Sequence, residues 1–194
     1  MSKRPLPTLH VDGSLTEYID KGGTLHQVAG LGGYLVVEGK IVNKFYKTLK
    51  DEPHLNHHEE YAVLEGLKWV KEMGYSTARV KTDSMYSVSL FNNQKKSLCK
   101  VDKFFLLQFM ILEFSFDWIE LLYHSRTTDD LSHLLSRVYL NDLPKNITKL
   151  HTEHKKKDSY NIVNDATVLC EQYVKTFLHK NITKISHLME AQKS

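Results

Sequence analysis

Apolar and polar positions along the first 143 residues predict a mixed α/β domain. Residues 41–49 alternate apolar and polar side chains, as a half-buried strand does. Residues 28–38 are rich in glycine and β-branched side chains, which indicates a strand that another backbone or a ligand approaches closely. Residues 56–73 repeat apolar side chains at helical spacing and stop at Gly74.

The complete set of predicted elements has the order β-β-β-α-β-α-α-β-α. Strands are predicted at residues 9–12, 29–37, 41–49, 77–82 and 116–123, and helices at residues 56–73, 84–91, 101–112 and 129–140. Three meander strands followed by alternating helices and strands favour a five-stranded mixed sheet with helices on its faces. Sheets of this kind place active sites beyond the carboxyl ends of their strands.

A second region is predicted to begin at residue 144. Residues 145–158 are polar and basic without a clear period, and apolar residues recur at helical spacing between residues 160 and 189. We therefore predict a domain at residues 1–143, followed at residues 144–194 by a basic linker and a helical extension. The extension can pack on its own domain, dock on a second subunit, or contact a duplex through the lysines at 155–157.

The composition is that of an ordinary globular protein. The 194 residues are 41% hydrophobic and 25% charged, enough for a core without disulfides. Two cysteines without a CxxC spacing predict a reducing, cytoplasmic compartment. Residues 1–8 lack the apolar core of a secretory signal, and the most apolar stretch, residues 104–114, is about half a membrane span. We therefore expect no membrane insertion.

Four acidic residues lie where predicted elements begin or end. Asp12 and Asp83 follow strands, Glu60 lies in the first turns of the long helix, and Asp129 begins the last helix. Taken singly, they have ordinary explanations as turn residues, helix caps or exposed helix carboxylates. Together at one point they would repel each other unless a cation neutralised them, and oxygen ligands suit Mg²⁺ or Mn²⁺. That arrangement would serve metal-assisted phosphoryl chemistry.

Short motifs surround these acids in a fixed order. Val-Asp-Gly-Ser at residues 11–14 is followed by a glycine-rich strand at residues 30–37. The later motifs are Glu-Tyr-x-Val-Leu at residues 60–64, Thr-Asp-Ser at residues 82–84 and Asp-x-Leu-Ser at residues 129–132. Together they resemble the type 1 ribonuclease H family over residues 8–141. The resemblance implies a ribonuclease H-like fold and hydrolysis of the RNA strand of an RNA–DNA hybrid.

The resemblance also implies two divalent ions, Mg²⁺ or Mn²⁺, held by the four acids. One ion would activate the attacking water and the other would stabilise the leaving oxygen. The ligands are ambiguous by one residue, because Glu59 precedes Glu60 and Asp130 follows Asp129. We choose Glu60 because the following Tyr and Leu then match the family's helix motif. We choose Asp129 because Leu131 then follows at the family's offset.

Further residues are expected to assist catalysis or contact the substrate. His124 is expected to help proton transfer or product release, although its loop lacks the glycine and asparagine that many family members have before the last acid. The expected nucleic-acid contacts are Gly13, Ser14 and Gly32 toward the RNA strand, Asn56 and Ser84 toward groove edges or sugars, and Lys95, Lys96 and Lys100 toward DNA phosphates. The net charge of +3 adds only a weak indication of a polyanionic partner.

Two other functions fit the same fold. One is a non-catalytic module that binds hybrids or proteins, which the retained acids argue against because bare carboxylates repel phosphates. The other is a nuclease acting on DNA, structured RNA or strand junctions, since metal-assisted chemistry does not depend on the sugar.

Overall fold

The computed structural model describes residues 6–125, 130–145 and 147–152, without the side chains of residues 130 and 148–152. The strands are β1 (Thr8–Ile19), β2 (Leu25–Val37), β3 (Lys40–Lys50), β4 (Thr77–Thr82), β5 (Trp118–Tyr123) and β6 (Thr148–Thr152). The α-helices are α1 (His58–Glu72), α2 (Met85–Phe91), α3 (Lys100–Glu113) and α4 (Asp130–Leu135). Short 3-10 turns lie at Leu55–His57 and Val138–Asp142.

The strands form one mixed sheet in the order β3-β2-β1-β4-β5, which confirms the predicted fold class. β1, β2 and β3 form the antiparallel meander, and β4 pairs in parallel with both β1 and β5. β6 is an unpredicted sixth strand that pairs antiparallel with the second half of β1. It lies beyond the domain boundary expected at residue 143. The strand was not predicted because this stretch is polar and basic.

β1 extends well beyond the predicted residues 9–12. The prediction ended too early because two buried polar side chains interrupt the apolar pattern of the strand. The Ser14 hydroxyl donates a hydrogen bond to the Ser136 carbonyl oxygen at 2.7 Å. The Thr16 and Tyr139 hydroxyls are hydrogen-bonded at 2.8 Å. Since both hydroxyls have partners inside the protein, they are compatible with a buried strand.

Helices cover both faces of the sheet. On one face, Leu9 and Val11 pack with α1 and with Phe105 of α3 in the largest core cluster. A Cβ atom on Gly66 of α1 would lie 2.8 Å from Val11 Cγ1, so a glycine is needed for this close approach. On the other face, Tyr34 packs with Leu131 and Leu135 of α4. Successive residues of β1 therefore face α1 and α4 in turn.

The edge of β1 on the β4 side is shared by two strands. β4 pairs with Thr8–His10, and β6 pairs with the stretch that starts at Thr16. Among the described residues, no strand pairs with Val11 to Leu15 on that side. The sheet is therefore open at this point, and polar groups from other elements can reach β1 there.

The predicted helical extension at residues 160–189 and the lysines at 155–157 lie outside the described residues. Within the part of the chain that the structure describes, no helix has the length and apolar character needed to cross a bilayer.

An ion-paired histidine joins the β1–β2 hairpin to the end of β3. The ring nitrogens of His26 lie 3.0 Å from Asp20 Oδ2 and 3.3 Å from Asp51 Oδ2. The hydrogen bond with Asp20, and then that with Asp51, raises the pKa of His26. The pKa of Asp20 is lowered chiefly by His26, and that of Asp51 chiefly by the Gln27 backbone N–H.

We expect His26→Gln to lower the melting temperature most near pH 5.5. The raised histidine pKa stabilises the fold below its unfolded value of about 6.5, and this contribution is lost as pH rises through the folded value. The lowered aspartate pKa values stabilise above about pH 4, and their contribution is lost on acidification. Thermal denaturation should show a deficit that shrinks by pH 8.5, whereas a constant deficit would contradict the ion-pair explanation.

We expect Gly32→Ala to destabilise the protein by about 1–3 kcal/mol or more. Its Cβ atom would overlap the backbone of Leu135 and Ser136, which cannot move without displacing α4. Gly22→Ala is the control, because its Cβ would meet only the Asp20 side chain, at 3.3 Å. Urea denaturation should separate the two variants, and equal stabilities would contradict the close packing of α4 on β2.

Candidate active site

The parallel pairing of β1 and β4 brings two of the predicted acids to the same level of the sheet. His10 of β1 pairs with Lys81 of β4, and the acids, Asp12 and Asp83, are each two residues further along. β4 ends at Thr82, so Asp83 lies just past its carboxyl end. The two carboxylates therefore meet where the edge of β1 is open.

A third carboxylate, that of Glu59, completes the group. Carboxylate oxygens of Asp12, Glu59 and Asp83 all lie within 4.8 Å of one another. The backbone N–H of Gly13 donates a hydrogen bond to Glu59 Oε2 at 3.1 Å. A Cβ on Gly13 would lie 2.6 Å from the His58 carbonyl oxygen, so this glycine allows the start of α1 to approach β1.

The structure does not bring the predicted Glu60 into this group, which contains its neighbour Glu59 instead. Glu60 is buried between α1 and α2, where its Oε1 accepts a hydrogen bond from the Ser87 hydroxyl at 2.5 Å. Its Oε2 lies 3.2 Å from His57 Nδ1. Through the Ser87 contact, Glu60 holds α2 against α1.

The spacing along α1 contains the signal that favours Glu59. Glu59, Ala62 and Gly66 recur at intervals of three and four, so they share one face of the helix. Gly66 identifies that face as the one against β1. Glu60 lies about 100° around the helix, in line with the buried Leu67. The small residues of α1 therefore indicate which glutamate reaches β1.

α4 and the residue that follows it supply two polar partners to Asp12 that were not predicted from the sequence. The Ser136 hydroxyl donates a hydrogen bond to Asp12 Oδ2 at 2.7 Å, and His133 Nδ1 lies 3.0 Å from the same oxygen. Ser132 of α4 and Ser136, the first residue after α4, are both buried and lie four residues apart among apolar side chains. Two hydroxyls at that spacing in an apolar segment are the sequence signal that could have indicated polar groups on the facing strand.

A small cavity at the site is lined by further polar and basic side chains besides the acids. Its lining includes Lys81, His124 and His133 together with Asp12 and Asp83. The backbone N–H of His124 donates to the Thr82 carbonyl oxygen at 2.8 Å, which extends the β4–β5 pairing by one residue. The imidazole of His124 lies edge-on to that of His10, with the ring centroids 5.4 Å apart.

The electrostatics of the three acids suit a bound cation. Burial, and then the negative charges of Asp12 and Asp83, raise the pKa of Glu59 well above its usual value. The ionised group of three is therefore unfavourable by itself, and a divalent cation would remove that penalty. Carboxylate oxygens are the ligands that hard cations such as Mg²⁺ and Mn²⁺ prefer, so the donor set fits a metal.

Three residues predicted to contact the RNA strand face the interior instead. Ser14 is buried and its hydroxyl is bonded to Ser136, while Gly32 packs against the backbone of α4. The N–H of Gly13 is used by Glu59. The glycines in these two strands therefore allow close packing of helices, and this placement does not support the predicted role in RNA recognition.

The other predicted substrate contacts have mixed placements. Asn56, Lys96 and Lys100 are exposed, whereas Ser84 caps α2 by accepting a hydrogen bond from the Ser87 N–H at 3.1 Å. Lys95 is paired with the buried Asp102 at 2.6 Å, and this bond raises the pKa of Lys95 to about 12. Lys95 therefore stabilises the start of α3.

The fourth acid falls outside what the structure describes. Asp129 lies outside the described residues, and Asp130, whose side chain is also not described, is the first residue of α4. Since His133 of α4 and the adjacent Ser136 both contact Asp12, this helix lies on the face of the sheet that carries Asp12.

Comparison with known proteins gives matches in structure only. No family model and no curated protein matches the sequence. The RNase H1 of the halophilic archaeon Halobacterium salinarum NRC-1 is 19% identical, with a TM-score of 0.59 over 71% of this chain and 98% of that chain. The N-terminal RNase H domain of a Mycobacterium tuberculosis protein is 16% identical, with a TM-score of 0.57 over 71% and 95% of the two chains.

A third match, LC11-RNase H1 isolated from compost by a metagenomic approach, is 14% identical. Its TM-score is 0.58, over 71% of this chain and 97% of that chain. The chain therefore has a ribonuclease H-like fold, and the resemblance seen in the motifs is confirmed at the level of the fold.

We expect Glu59→Gln to raise the melting temperature of the metal-free protein at neutral pH. Because the folded pKa of Glu59 is raised, ionisation above about pH 4.3 favours the unfolded state. Glutamine removes this repulsion and can still accept the Gly13 hydrogen bond. Glu60→Gln is the matched control, and its melting temperature should not rise because the Ser87 bond is weakened. Thermal denaturation in EDTA measures both, and a lower value for Glu59→Gln would contradict the clustering.

Proposed function

We propose that this protein is a metal-dependent endonuclease that hydrolyses the RNA strand of RNA–DNA hybrids. The observation that carries the proposal is the convergence of Asp12, Glu59 and Asp83 within 4.8 Å at the open edge of β1. Three acids at one point are unfavourable for a purely structural site, because the charges of Asp12 and Asp83 raise the cost of ionising Glu59. The same arrangement is favourable for holding divalent cations beside a phosphodiester.

Asp12, Glu59 and Asp83, with Asp129 as the fourth acid, would hold two ions of Mg²⁺ or Mn²⁺. When bound, such ions neutralise the acids, activate a water nucleophile and stabilise charge on the leaving oxygen. The protein fixes the acids beforehand: Gly13 orients Glu59, and Ser136 orients Asp12. Fixed ligands lower the reorganisation needed during the reaction.

The residues around the acids have separate proposed roles. His124 would transfer a proton through a ring nitrogen, since its side chain lines the cavity at the acids. Lys81 lines the same cavity and would attract a phosphate to it. Glu60 would position the start of α2 through Ser87, and Ser87 in turn bonds to Ser84 at 2.8 Å, next to Asp83.

The hybrid substrate is supported by the motifs and by one neighbour. LC11-RNase H1 has been solved in complex with an RNA/DNA hybrid, and it is 14% identical to this chain with a TM-score of 0.54. Exposed Asn56, Lys96 and Lys100 remain the proposed contacts to the duplex. The exposed free thiol of Cys99 is consistent with action in the reducing cytoplasm, as we propose.

We expect the purified protein to cut the RNA strand of a labelled hybrid when Mg²⁺ or Mn²⁺ is present. Asp83→Asn and Glu59→Gln should each lower the rate at least about 100-fold, because each removes a ligand charge. Glu60→Gln should lose less activity than either, on the order of tenfold, because its carboxylate contacts Ser87 and His57 and acts only through the position of α2. Intact RNA strands, or equal cleavage by Asp83→Asn, would contradict the proposal.

The same assay distinguishes the remaining alternatives. Asp129→Asn and Asp130→Asn, compared side by side, identify the fourth acid by which one loses activity. Double-stranded RNA and double-stranded DNA serve as competing substrates. Faster cleavage of either would select the alternative nuclease, and hybrid binding without cleavage would select the non-catalytic module.

A further inference from the structure

α3 has two apolar faces, and only one of them is covered. Phe105 and Phe109 are buried in the core, where Phe109 stacks on Phe91 with ring centroids 4.6 Å apart. On the opposite side, five apolar residues including Met110 are exposed, and four of them form a line along the helix. This α3 stripe consists of Phe104, Leu107, Ile111 and Phe114, with exposed fractions of 43%, 59%, 62% and 87%.

The α3 stripe has the geometry of a helix-binding surface. Its residues recur at intervals of three, four and three, which is the seam spacing by which one helix packs along another. An exposed apolar patch of this kind on a globular protein indicates an interaction site. The occupant best suited to it is an amphipathic helix of about the same length.

The chain itself contains such a segment after β6. Apolar residues recur there with the same alternation of three and four, at Val163, Ala166, Cys170, Tyr173 and Phe177. Seven residues separate Thr152, the last residue of β6, from Tyr160. When extended they span at most about 23–25 Å, which allows the segment to lie against a face of the domain away from β6.

We propose that residues 160–178 form a helix that docks on the α3 stripe of the same chain. A tether of seven residues gives the segment an effective concentration in the millimolar range. A second copy of the protein would have to compete with that concentration. The intramolecular complex therefore forms before a dimer does.

Hydrogen–deuterium exchange of the full chain tests this docking. Backbone amides of residues 160–178 should be protected in the unaltered protein, and Ile111→Asp should accelerate their exchange at least about tenfold. Tyr46→Asp on β3 is the matched control, because Tyr46 is 60% exposed and Ile111 is 62% exposed. It should leave the exchange of residues 160–178 unchanged.

The reciprocal variant and the oligomeric state complete the test. Phe177→Asp should accelerate exchange in α3 residues 104–114 while sedimentation velocity shows a monomer. Exchange of residues 160–178 at the rate of a free peptide would overturn the proposal. A dimer that Ile111→Asp dissociates without changing exchange in residues 160–178 would also overturn it, and would assign the α3 stripe to a second copy.

Discussion

The parallel pairing between β1 and β4 is the constraint on which the site depends. It fixes His10 beside Lys81 and so sets Asp12 and Asp83 at one level, just where the pairing ends. Because side chains alternate along a strand, a shift of one residue would turn Asp12 to the opposite face. The N-terminus of α1 then needs only to approach β1 closely for Glu59 to join, and Gly13 permits that approach.

Gathering the acids costs stability that other contacts must offset. Burial and neighbouring charge disfavour ionised Glu59, so the site opposes folding when no cation is bound. The hydrogen bonds from Gly13 and from Ser136 partly compensate by satisfying carboxylate oxygens. The packing of α1 and α4 on opposite faces of the sheet provides the rest of the stabilisation that offsets the cost of the buried acids. Function and stability are therefore opposed at this point of the fold.

Elements whose apolar pattern is regular were predictable from sequence, and elements with buried polar groups were not. β4 was predicted at its observed bounds, and α1 and α3 to within about two residues at each end. The predicted β1 ended too early because Ser14 and Thr16 are polar but buried. The hydrogen-bond partners of their hydroxyls are more than a hundred residues away in the chain, so the sequence does not show them. The glycines at 13 and 32 were assigned to a ligand, since sequence does not distinguish close approach by a ligand from close approach by a helix.

β6 has a consequence for how the chain is made. It follows every other described element in sequence but lies beside β1, the first strand, with Thr152 opposite Thr16. During synthesis on a ribosome, one edge of the second half of β1 therefore stays unpaired until nearly the whole described chain has emerged. Unpaired strand edges are the sites at which nascent chains aggregate. The order of elements thus leaves this stretch of β1 open to intermolecular pairing until the last short strand has been made.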